Sequence, residues 1–152
     1  MEFEEIYADL KKKYGLPEFE VIDEEFEICS MEEDIFILRG IRRRIVEKFD
    51  AAIKLFSELL HPEAGFTSYQ EANVFSETER ELIMQLYRQL MFFNRLSAEI
   101  DFNPSDDSDA KFIADFMKEW PELKKSITFF LRKLKESWHK DRSKKENVGY
   151  LG

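Results

Sequence analysis

The chain has 152 residues, 43% of them apolar and 36% charged, so it is long enough to bury one core and too hydrophobic for intrinsic disorder. No apolar run exceeds four residues, far short of the roughly 20 that span a bilayer, and the N-terminus opens on acids instead of a basic signal region. A non-membrane, cytoplasmic protein is therefore expected. Its single cysteine, Cys29, cannot close an internal disulfide and is read as a buried or bystander thiol. Fifteen phenylalanines against five glycines and four prolines favour long helices joined by aromatic contacts.

Residues 2–14 carry Phe3, Ile6, Tyr7, Leu10 and Tyr14 at helical spacing, with Gly15 and Pro17 as a stop. From 16 to 30, Phe19-Glu20-Val21 and Phe26-Glu27-Ile28 alternate like short strands, and an extended strap with one helical turn is expected. Over residues 32–60, Leu38, Ile41, Ile45, Phe49, Ala52, Ile53, Phe56 and Leu60 recur every three or four positions until His61-Pro62. That pattern predicts one long helix of about 40 Å.

A loop with a short turn follows, up to Ser76-Glu77-Thr78-Glu79, which has the form of a capping box and opens a third helix running to about Ile100. Asn103 to Asp109 reads as a turn rich in N-capping residues, and a fourth helix covers about 108–120. Pro121 either starts a fifth helix or kinks a continuous one, and Leu123, Ile127, Phe130, Leu131, Leu134 and Trp138 carry the stripe on. The expected architecture is an all-α antiparallel bundle of about five helices, forming one domain over residues 1–140 with a frayed tail over 141–152.

Three candidate sites can be tested on a helical wheel. Glu58-x-x-His61 and Glu136-x-x-His139 match the Glu-x-x-His pairs of carboxylate-bridged di-metal bundles. Each glutamate falls about 180° from its helix's apolar stripe and each histidine about 120°. Both pairs therefore face solvent, and no metal or other cofactor is expected. Glu24-x-x-Glu27 with Glu47-x-x-Asp50 resembles the paired acids of all-α nucleoside triphosphate pyrophosphatases, and the resemblance implies Mg²⁺ held against a triphosphate. That chemistry needs the pairs on neighbouring antiparallel helices, whereas residues 32–50 read as one unbroken helix. The acidic stretch from Asp101 to Asp109 lacks the glycine of a calcium-binding loop, and Phe112 stands where its bidentate glutamate belongs.

Charge sorting and surplus aromatic surface remain. Residues 1–36 hold 13 acids and 3 bases, a net of −10, and residues 121–145 hold 9 bases and 3 acids, a net of +6, within a chain of net charge −9. Lys124, Lys125, Arg132, Lys133, Lys135, Lys140 and Arg142 are the residues that would meet nucleic-acid phosphates, although the net negative charge opposes a polyanion. Internal pairing with the acidic N-terminus is the simpler use of these cations.

Arg42 lies only about 20° from Phe49, inside the apolar stripe, and must reach a carboxylate; the acids from Asp23 to Glu27 are the expected partners. Phe36, Phe92 and Phe129 lie about 120–160° off their stripes and, with Arg42 as an alternative anchor, are the candidate partner-binding residues. The function expected is that of a non-enzymatic helical interaction or scaffold protein, homo-oligomeric or bound to a protein partner. A nucleic-acid-contacting accessory protein is the runner-up, ahead of the Mg²⁺-dependent pyrophosphatase.

Overall fold

The structure, a computed structural model, describes residues 2–32, 35–63 and 65–149, with side chains described for 3–32, 35–63 and 65–139. Among these residues the fold is all-α, as the periodicity predicts: α1 (Glu2–Tyr14), α2 (Phe19–Phe26), a 3-10 turn (Ile28–Ser30), α3 (Ile37–Leu60), α4 (Phe66–Ala72), α5 (Glu77–Phe102) and α6 (Asp106–Gly149). The chain forms two compact units, each discontinuous in sequence. The first joins Met1–Ile53 to Gln89–Pro121 and the second joins Lys54–Arg88 to Glu122–Gly152. The side chains of the expected frayed tail, and residues 150–152, lie outside the described residues.

Helix α1 stops where the sequence says it should. Gly15 takes φ +68, a left-handed conformation that only glycine adopts without steric cost, and its N–H donates to the Lys11 carbonyl at 2.8 Å. The segment expected to be an extended strap is instead α2. Phe19, Ile22 and Phe26, spaced three and four apart, form its inner face; Ile22 and Phe26 are buried, and Phe19 packs edge-on against Phe3 and Tyr7. The alternating pattern misleads because Glu20, Val21 and Glu24 are exposed in the helix as they would be on the outer face of a strap. Eight residues make a helix too short to persist alone, so packing decides the matter.

The long helix begins at Ile37 instead of residue 32, and Gly40 does not interrupt it. Before α5 the capping box forms as read: the Glu79 N–H donates to Ser76 Oγ at 3.2 Å, and the Ser76 N–H donates to Glu79 Oε1 at 3.0 Å. Helix α6 is capped by Ser105, whose Oγ accepts from the Ser108 N–H at 3.1 Å, and acids fill its first turn. It then runs on past Pro121 as one helix, so Pro121 does not start a separate fifth helix.

The first unit packs around rings. Phe116 lies 5.1–6.1 Å from the rings of Phe26, Phe49, Phe93, Phe112 and Trp120, and the Trp120 indole N–H donates to Glu25 at 2.8 Å. Tyr7, also buried, donates to the Pro17 carbonyl at 2.6 Å; burial and then the Glu18 charge push its phenol well above the ordinary value. In the second unit Phe130 packs edge-on to both Phe56 and Phe75. Leu59, Ala72, Ile83, Leu86, Leu123 and Leu134 are buried in the same unit.

Arg42 sits inside the first unit with 0% of its surface exposed, and α5 and α6 supply its partners. Its Nε donates to Asp109 at 2.6 Å and its two terminal nitrogens donate to the Ser97 carbonyl and hydroxyl and to Asp101 at 2.5–3.0 Å. The expected acids on residues 23–27 are not the partners: an arginine on the inner stripe of α3 meets what α5 and α6 present there. The same burial removes Arg42 from the candidate partner surface, because each of its nitrogens donates to a group of its own unit.

Burial raises the Asp101 carboxyl, but the hydrogen bond and charge of Arg42, joined by Arg43, outweigh it and hold the carboxyl below its usual range. A carboxyl with a folded value below its unfolded value stabilises the protein above the unfolded value, and that contribution is lost as pH falls through the folded one. Arg42→Met is expected to cost about 3–5 kcal/mol by leaving Asp109 buried without its cation, while Arg42→Met combined with Asp109→Leu costs much less. Urea melts of the two variants check this. The wild-type midpoint should hold from neutral pH down to about pH 5 and then fall below about pH 4.

Candidate binding groove

The Glu-x-x-His pairs are placed as the wheel indicates: Glu58, His61, Glu136 and His139 are all exposed. The paired acids lie on different helices, Glu24 on α2 and Glu47 and Asp50 on α3, with Glu27 just past the end of α2. These helices come close, since the Lys48 ammonium donates to the Glu25 carbonyl at 2.6 Å and lies over the Phe26 ring. A cation thus occupies the seam between the acid pairs, and Asp50 accepts from the Asn94 amide at 3.0 Å. Among the described residues no group of three or more His, Cys, Asp or Glu side chains is placed to hold a metal ion. Cys29 is exposed, and a hydrogen bond with Asp23 is the first cause that pushes its thiol upward, away from the reactive thiolate.

The off-stripe phenylalanines are exposed where the wheel puts them: Phe36 is 47% exposed, Phe92 64% and Phe129 55%. Phe36 carries the Arg39 guanidinium 4.3 Å above its ring, and Phe92 packs edge-on to Phe93. Phe129 has a more defined setting. Within the second unit, Gln70, Asn73 and Val74 from α4 and the turn after it face Phe129, Arg132, Lys133, Glu136 and Ser137 of α6 across a groove of about 630 Å³. Residues at i, i+3 and i+4 share a helix face, which places Phe129, Arg132 and Lys133 in one row. The structure therefore joins a residue predicted for protein contacts with two predicted for phosphates.

Lys133 is engaged at home. Its ammonium donates to Glu79 Oε2, the free oxygen of the capping-box glutamate, and that hydrogen bond, with the Ser76 N–H, holds the Glu79 carboxyl below its ordinary range. Arg132 has no ion pair or hydrogen bond among the described residues, although it lines the groove. Lys125 is exposed about two turns before Arg132 on the same face. Lys135 lies 3.8 Å from Glu136, and the side chains of Lys140 and Arg142 lie outside the described residues. Farther along α6 Trp138 donates to Glu71 at 2.9 Å and meets the exposed Phe66 ring, so aromatic surface continues along the α4 side.

Sequence reading does not reveal this groove, because residues 66–72 read as a loop with a short turn. The signal lies in Phe66, Tyr69 and Ala72, with Phe75 just past the helix, each three apart, but a seven-residue helix is too short for periodicity to separate it from a turn. In comparisons with known proteins the chain matches no family model, no curated protein and no solved structure. Among the described residues no helix is long and apolar enough to cross a membrane.

Two measurements bear on these sites. Lys133→Met is expected to raise the Glu79 carboxyl back toward its ordinary range by removing the hydrogen bond and charge that lower it, read by NMR titration, and to leave the cap on α5 in place. Millimolar Mg²⁺ is expected to leave the thermal midpoint unchanged; a clear rise that Glu47→Ala abolishes would move the paired acids to the front.

Proposed function

We propose that this chain is a helical interaction protein that binds other proteins through exposed aromatic faces set among sorted charges. The observation that carries the proposal is the exposure of Phe92 on α5, Phe129 on α6 and Phe36 just before the start of α3. Rings left so largely in water are available as anchors for a partner. Lysine-rich surface alone would favour phosphate, and Lys125 and Arg132 remain exposed for such a role. Lys133 is already paired with Glu79, and the net charge of −9 weighs against a polyanion.

The test is affinity capture of the full chain from its host's lysate with and without nuclease, repeated with Phe36→Ser, Phe92→Ser and Phe129→Ser. Stoichiometric protein partners should survive nuclease and be lost with at least one substitution that leaves the thermal midpoint unchanged. Partners retained by all three variants would defeat the proposal, and material that disappears with nuclease would put nucleic acid in its place.

A further inference from the structure

We infer that the α4–α6 groove of one copy receives α2 of a second copy, joining copies head to tail. The inference rests on the interaction reading above and names its partner. On the groove side, Phe129 and Val74 supply an apolar patch, and Gln70 and Asn73 supply amides. Arg132 lines the same groove and makes no ion pair among the described residues; Glu136 lines it too, one turn on, and Lys125, outside the lining, adds a second exposed cation on that face of α6.

Helix α2 is the complementary surface. Its eight residues, FEVIDEEF, contain four acids and no base. Ile22 and Phe26 turn inward, which leaves Val21 49% exposed between Glu20 and Glu24, both exposed and neither paired among the described residues. An aliphatic side chain flanked by carboxylates thus matches a ring flanked by cations. Apolar contact provides adhesion, and the charges set orientation and exclude wrong partners.

Each copy carries one acidic donor face and one acceptor groove whose available cations are Arg132 and, beside it, Lys125, and the two are different surfaces. Such a contact is heterologous, and a copy that has used its groove still offers its α2. Association therefore extends with concentration and closes only where the geometry forms a ring. Because the charged contacts are exposed, salt screens them.

Sedimentation velocity of the full chain over a concentration series tests this. Wild-type protein should show a sedimentation coefficient that rises with concentration, with association weakened about tenfold or more by raising salt well above physiological strength. Arg132→Glu alone and Glu20→Lys with Glu24→Lys alone should each remain monomeric with unchanged circular dichroism melts, since all three positions are exposed. Mixing the two variants should restore association, because the unaltered groove of one meets the unaltered α2 of the other and the two reversed surfaces also match. Phe129→Ser should weaken association while preserving its salt slope. A monomeric wild type, association indifferent to Arg132→Glu, or a mixture that stays monomeric would overturn the inference. The interaction reading would survive any of these if Phe36 or Phe92 variants still lose a captured partner.

Discussion

A single arginine organises the first unit. Arg42 brings a full positive charge into a space lined by Ile41, Ile45, Phe49 and their neighbours, and an unpaired charge there would be expelled or would unfold the site. Three helices answer it: α3 carries the guanidinium, α5 supplies Ser97 and Asp101, and α6 supplies Asp109. Each nitrogen has a partner in a planar fork, so sliding any of the three helices by one turn would orphan a buried donor or acceptor. Apolar stripes tolerate several registers of nearly equal energy. The guanidinium admits one.

The aromatic packing works within that register. Phe116 on α6 touches rings from α2, α3 and α5, and edge-to-face and stacked contacts need their ring centres within a few ångströms of set positions. Glu25 closes the arrangement by taking the Trp120 indole N–H, which would otherwise be a buried donor at the edge of the cluster. Short α2 is therefore held by what it covers. In the second unit the capping-box glutamate serves a comparable purpose: Glu79 fixes the start of α5 and holds Lys133 of α6, tying a local cap to a contact 54 residues away in sequence.

Charge and aromatic surface acquire functional meaning only where these constraints leave groups unused. Arg42 and Lys133 were attractive as binding residues because of their charge, and both are engaged inside their own unit. Arg132, one position from Lys133, lacks such a partner among the described residues and lines a groove beside an exposed ring. Both line the groove, but Lys133 reaches Glu79 of α5 while Arg132 meets no such acid among the described residues. The separation between structural and available charge is set by which acid a neighbouring helix presents.

The amino-acid pattern by itself determined the class of fold and most of its boundaries. α1 matches residue for residue, the Ser76–Glu79 box caps α5, and the wheel placed Phe36, Phe92 and Phe129 in solvent and Arg42 inside. These features are local: periodicity, caps and helix phase act over three to seven residues and are legible in one dimension. Tertiary structure alone decided that residues 19–26 coil, that residues 66–72 form a helix, that Asp101 and Asp109 are the carboxylates for Arg42, and that α4 and α6 enclose a groove. Helices of seven or eight residues depend on what they pack against, and the acid that reaches a buried arginine depends on which helices adjoin it, which no spacing along the chain records.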